Sequence, residues 1–195
     1  MLTRLRCAVL ATALSLVATA LPAQTVYTFE DLVGLYPFQP ISPNPYNGIT
    51  FDGSWWANND PQFPYTPQSG TVRLASNGIG DDLPSASFFF AAPTVFAGAY
   101  FAGADIPLSF DLYLGSTKVF STGPSTLSPT PMFLNSGYTG VVDRVDVLGS
   151  TGFYEMDDLT LGTVSVPEPA SYALMAAGLF GLGVVSRRRR RAAVA

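Results

Sequence analysis

The sequence predicts an all-β fold: a single antiparallel β-sandwich or jelly roll over residues 24–166, flanked by an N-terminal signal peptide and a short C-terminal transmembrane helix. Three observations predict it. Short runs rich in Val, Phe, Tyr and Thr recur about every ten residues with Gly, Pro, Asn and Ser between them, the rhythm of strands and tight turns. No stretch between the two ends carries a helical apolar period of useful length. The two ends themselves differ from the middle, each holding an apolar run beside arginines.

The first element is "MLTRLRCAVLATALSLVATALPAQ", in which Arg4 and Arg6 precede an apolar stretch from Ala8 to Leu21 and small residues follow. That is the layout of a secretory signal peptide. The run falls short of the roughly 20 residues needed to span a bilayer. Ala18-Thr19-Ala20 is the best small-x-small site and Leu21-Pro22-Ala23 a slightly later one, so residues 1–23 are removed and the mature chain begins near Gln24. Arg6 stands where a lipoprotein signal would carry a small residue before Cys7, the only cysteine.

The mature chain therefore has no cysteine, and the whole chain has no histidine. No disulfide can staple it, so an ordinary hydrophobic core must hold it. Zinc bound by thiolates and imidazoles is excluded, as are Ser-His-Asp and Cys-His catalytic sets. Between Gln24 and Val166 three basic residues (Arg73, Lys118, Arg144) face thirteen acidic ones, a net charge of −10. Such a domain repels nucleic acid, whose binding rests on Lys and Arg at phosphates.

The expected strands, in order, are "TVYTF", "GITF", "TVRLA", "SASFFF", "TVFAGAYF", "LSFDLYL", "TKVFST", "VVDRVDVL" and "LTLGTV". "VVDRVDVL" alternates as a half-buried strand does, with Asp143 and Arg144 interrupting. The proline-dense "YPFQPISPNPYNG" reads as surface loop, and Asp81-Asp82 after "NGIG" as turn. No internal repeat is visible, which disfavours a solenoid.

After this domain come Pro167-Glu168-Pro169, then Ala170–Val185, 16 residues without a charge, then Arg187, Arg188, Arg189, Arg190 and Arg191, and a four-residue tail, 192–195. As a helix the uncharged run is about 24 Å long at 1.5 Å per residue, short of a hydrocarbon core of about 30 Å. Local thinning or outward-reaching arginines close the gap. The arginines keep that end cytoplasmic under the positive-inside rule, which places the body of the protein outside. A buried helix followed by a solvated charge run is the alternative.

These three parts, in this order over residues 167–191, resemble the PEP-CTERM sorting signal, also called the ice-binding protein C-terminal domain. The resemblance implies a Gram-negative protein exported across the inner membrane by the secretion machinery. It also implies a membrane-embedded exosortase that processes the chain near Pro167-Glu168-Pro169, leaving it at the cell surface or extracellular. Such a signal bears on sorting and not on activity. No flat threonine array of the kind ice binding requires is present.

The domain itself is similar to a recurrent extracellular β-sandwich pattern with FDDL near its start and MDDL at its end. "TFEDL", "NPYNGITFDGSWWANN", "FAGAYFAG", "DLYLGSTKVFST" and "FYEMDDLTL" carry the resemblance, with Glu30 in place of the first Asp and "PYNG" for the usual turn. The related sandwiches are galactose-binding or carbohydrate-binding in general shape, and the pattern itself implies no enzymatic activity. In sandwiches of this type the first and last strands lie side by side. That would bring Glu30 near Asp157, with backbone carbonyls completing an oxygen cage for a structural calcium ion. Tyr154 and Met156 share one face of a strand and Leu159 and Leu161 the other, so a β-bulge at Asp157-Asp158 would restore a single inward face and re-aim a carboxylate. The alternative is that these acids are solvated or cap backbone groups.

Trp55 and Trp56 are the other candidate site. A tryptophan face suits a sugar ring, and in an extended segment one of the two would point inward and the other out. Three function classes follow: a non-catalytic exported surface or matrix protein that binds polysaccharide, a purely structural or adhesive envelope component, and a carboxylate-dependent glycoside hydrolase. The first is the reading taken here, with no catalytic residue and no cofactor beyond calcium.

Overall fold

The structure, a computed structural model, describes residues 24–32, 38–61, 64–76 and 83–162. The expected signal peptide, the Pro167-Glu168-Pro169 segment with the apolar run and arginines after it, and the expected turn at Asp81-Asp82 lie outside the described residues. The chain divides into two compact units, 1–164 and 165–195, and every strand described belongs to the first.

That unit is built from twelve strands and one 3-10 turn, Glu30–Leu32. The strands are β1 Thr25–Tyr27, β2 Gln39–Pro40, β3 Ile49–Phe51, β4 Trp55–Asn58, β5 Arg73–Ser76 and β6 Ser85–Gly103. There follow β7 Pro107–Leu114, β8 Thr117–Ser121, β9 Ser125–Thr126, β10 Met132–Asn135, β11 Val142–Leu148 and β12 Tyr154–Gly162. All pair antiparallel, in the order β2-β4-β5-β12-β6-β11-β7-β8. β3 and β10 add to β6, β1 to β12 and β9 to β7.

The 19-residue β6 joins two layers. Its first half pairs with β3 and β11, and its second with β10 and β12. The sequence leads one to expect two strands here, "SASFFF" and "TVFAGAYF". They are one strand, with Ala91, Ala92 and Pro93 exposed where it passes from layer to layer. Proline has no N–H to donate, and an unpaired corner is where a strand tolerates it. One layer thus contains β2, β4, β5, β12, the second half of β6 and β10; the other contains β3, the first half of β6, β11, β7 and β8.

The inner faces of the two layers meet in one core. Phe88, wholly buried, has Phe51, Trp55, Phe90 and Phe96 around it at centroid distances of 5.6–6.4 Å. Phe110 of β7 meets both Phe96 and Phe101 of β6. These tilted and edge-to-face contacts add to the area that each ring removes from water. Val142, Val145 and Val147 all face this core. The odd spacing of the first two is absorbed by a register shift between Val142 and Arg144, where the alternation was interrupted. "PYNG" makes a two-residue turn: Tyr46 and Ile49 exchange both backbone hydrogen bonds at 2.8 Å, with φ of 48° at Asn47 and 82° at Gly48. Positive φ at both central residues is the hairpin geometry that Asn-Gly favours.

Gly98 sits between β10 and β12, with a φ of 147°, and an added Cβ would lie 2.2 Å from the Leu134 carbonyl oxygen. Gly98→Ala is expected to lower the unfolding free energy by about 3 kcal/mol, measured by urea unfolding. Gly53→Ala, whose Cβ would meet nothing within 4 Å, is expected to stay within about 0.5 kcal/mol of the parent.

Candidate functional site

The first and last strands lie side by side, as the sandwich pattern implied: Thr25, Val26 and Tyr27 pair with Leu161, Thr160 and Leu159. Beyond β1 the chain turns through Phe29, whose φ of 62° is left-handed, into the 3-10 turn that carries Glu30. β12 is bulged as expected. Its register shifts between Asp157 and Thr160, Asp158 has a φ of 47°, and Tyr154, Met156 and Leu159 all reach the core.

The two carboxylates that these devices position hold one loop. Asp157 Oδ2 accepts hydrogen bonds from the backbone N–H groups of Gln68 (2.8 Å) and Ser69 (2.9 Å). Glu30 Oε1 accepts from Thr71 (2.9 Å) and Val72 (2.7 Å). Asp157 Oδ1 takes the N–H of Asp158, and the Ser69 hydroxyl donates to Asp158 Oδ1. Between the two grips stands Gly70, with a φ of 53°; a Cβ there would lie 2.2 Å from the Glu30 carboxyl carbon. Bonds from N–H groups to a carboxylate in its ionised form are roughly twice as strong as those to a neutral acceptor.

This geometry bears on calcium. The ion would need several oxygens turned toward one point, whereas Glu30 and Asp157 turn theirs toward N–H donors, whose positive ends repel a cation. Among the described residues no group of three acidic, His or Cys side chains is placed to hold a metal. The residues fit backbone capping, the alternative that the sequence left open, better than a calcium cage.

Beneath the same loop lies an ion pair that the sequence reading missed. Arg73 of β5 and Glu155 of β12 are each 3% exposed, with Nε 2.6 Å from Oε2. The Asn58 amide also donates to Glu155, and the Arg73 guanidinium reaches the carbonyl oxygens of Asp60 and Thr71. Burial, outweighing Arg73 and Asn58, still pushes the Glu155 carboxyl up. One signal was available: Arg73 is the only basic residue between Gln24 and Lys118, and it stands inside a strand-like run. A buried guanidinium demands a carboxylate.

The tryptophans divide as their adjacency required. Trp55 is 2% exposed, packed against Phe51, Phe88 and Tyr154, and its ring N–H donates to the Ser87 carbonyl. A side chain so enclosed cannot meet a ligand, so Trp55 is a core residue. Trp56 points outward, half-buried, with its N–H on the Gly53 carbonyl. Asp157 of β12 and Trp56 of β4 lie in the same layer, on its outer side, and Glu30 stands in the 3-10 turn after β1.

Asp157 supplies a test. Burial, followed by the neighbouring Asp158 charge, outweighs its three N–H bonds and pushes its carboxyl up to about 7. The folded chain then holds more protons than the unfolded one between about pH 4 and pH 7, so stability falls as pH rises across that interval. In urea unfolding at stepped pH, Asp157→Asn is expected to remove that part of the slope. Asp157→Ala, which leaves three N–H groups without an acceptor, is expected to cost about 3 kcal/mol.

No curated protein sequence matches the chain. The family model described as the PEP-CTERM protein-sorting motif matches residues 165–191. It covers Pro167, Glu168 and Pro169 and all five arginines from Arg187 to Arg191. Such a motif implies export to the cell envelope or surface, with an exosortase as processing partner. Over residues 165–191 the tail of this chain, with its Pro-Glu-Pro, apolar run and arginines, is similar to the PEP-CTERM protein-sorting motif.

Proposed function

We propose that the chain is an exported, non-catalytic surface or extracellular-matrix protein, released from a transient C-terminal anchor by an exosortase, whose β-sandwich meets polysaccharide. The observation that carries this reading is the joining of a sorting motif at residues 165–191 to an all-β domain. The roles of four acidic residues support its non-catalytic part. A glycosidase needs two carboxyls free to face a sugar from either side. Here Glu30, Asp157 and Glu155 hold the chain's own donors, and Asp52 caps the N–H groups of Ser54 and Ser87. The reading places the mature domain on the outer side of the inner membrane of a Gram-negative cell, with Arg187–Arg191 left in the cytoplasm.

Replacing Pro167, Glu168 and Pro169 together by alanine in the full chain, in a host with an exosortase, tests the sorting half. The unaltered protein is expected to appear at the surface with a mass lacking both the signal peptide and the arginine segment. The altered one is expected to stay in the inner membrane at the mass of the unprocessed tail. Identical masses and locations for both would overturn exosortase processing.

A further inference from the structure

The outer side of the layer built on β3, β6, β11, β7 and β8 carries a pattern that the fold does not need. Its register sets Thr50, Phe89, Arg144, Tyr113 and Lys118 in one row across five strands. Beside it runs a second row, Ser87, Asp146, Asp111 and Ser121. The two rows hold one arrangement twice. Ser87 donates its hydroxyl to Asp146 Oδ1 at 2.9 Å, and Arg144 Nε lies 3.2 Å from the same oxygen without the alignment of a hydrogen bond. One strand pair away, Ser121 donates to Asp111 Oδ1 and the Lys118 ammonium to Oδ2 at 3.1 Å.

Three physical points set this face apart. Asp111 and Asp146 stand directly opposite each other on adjacent strands, and like charges so placed cost stability. Of the three basic residues in the described chain, Arg73 is buried and the other two are both here. The Arg144 guanidinium carbon lies over the Tyr113 ring, 3.6 Å from its centroid, with Phe89, 39% exposed, across the strand on its other side. The result is a plane of alternating rings, carboxylates, hydroxyls and cations, each carboxylate matched by its own cation.

We propose that this face binds a linear neutral polysaccharide, the two serine–aspartate–cation sets taking successive sugar units and Phe89 and Tyr113 meeting their apolar sides. It deepens, and rests on, the polysaccharide reading above. A pyranose offers neighbouring hydroxyls that each donate and accept, which a carboxylate beside a cation answers with one acceptor and one donor. Repetition of the set suits a repeating polymer. The two sets themselves are charge-balanced inside a domain of net −10, so an anionic polymer gains nothing from them and is repelled by the remainder. A protein partner would want a larger apolar centre than one exposed Phe and one half-buried Tyr.

The test uses the full chain in mild detergent, mixed with insoluble neutral polysaccharides (cellulose, mannan, agarose), with alginate as the anionic gel and chitosan as the cationic one. Depletion from solution gives Kd, and reducing ends are assayed in parallel. Binding to a neutral polymer is expected, weakened about tenfold by Tyr113→Ala or Arg144→Gln and within twofold of the parent for Trp56→Ala. Arg144→Lys keeps the charge and loses the planar fork; with an unchanged melting curve it is expected to weaken binding about threefold, a loss that misfolding does not explain. Neutral-polymer binding that is weakened only by Trp56→Ala would overturn this face and leave the polysaccharide reading standing. Absence of binding to every neutral polymer, or stronger binding to either charged gel, would overturn both. New reducing ends would overturn it in favour of hydrolysis.

Discussion

Four backbone N–H groups of one loop, those of Gln68, Ser69, Thr71 and Val72, are satisfied by two carboxylates from opposite ends of the domain, Glu30 and Asp157. The outer side of one layer depends on this grip. A loop over a sheet has backbone donors that the ladder cannot use, and leaving them dry costs about as much as the bonds would supply. With a single cysteine in the chain, no internal disulfide can tie the loop down. The grip also seals Arg73 and Glu155 beneath it, a pair that holds only while water is kept out and both partners remain.

The grip needs unusual backbone on both of its sides. A left-handed Phe29 turns the chain off β1, and a left-handed Asp158 marks the bulge of β12. Because β1 and β12 are paired, these two irregularities are neighbours. The bulge lets Leu159 enter the core after Met156 while Asp157 is swung out to the loop. Structural and polar demands on one strand are thus met by a single inserted residue. The same economy runs through β6, which serves both layers and brings the ring of Phe88 to the centre of the core. One layer ends up with its outer side covered by the clamped loop, and the other with its outer side open. The open side is the one that carries the paired charges and rings.

Much of this was legible in the residues. The strand runs and the bulge at Asp157-Asp158 follow from periodicity and the apolar parity of "FYEMDDLTL", whereas the "PYNG" turn and the pairing of first and last strands were implied by the resemblance to the sandwich pattern. The sorting tail was legible because its three parts must occur in order. The purpose of the acidic motifs was harder to read. A glutamate and an aspartate brought together suit a cation and a set of N–H donors equally well, and only the path of residues 68–72 decides between them. β4 and β10 were not expected as strands, since "WWAN" and "MFLN" are short and their pairing is decided by neighbours distant in sequence. The rows on the outer face are likewise invisible along the chain: Ser87, Asp111, Ser121 and Asp146 become neighbours through register alone.

Native-state hydrogen exchange, read amide by amide, tests the central claim that two carboxylates hold this loop. The account predicts slow exchange at Gln68, Ser69, Thr71 and Val72, close to that of the β12 amides and far slower than at exposed Ser116 in the turn before β8. Exchange at these four amides as fast as in an open loop, with β12 still protected, would contradict it.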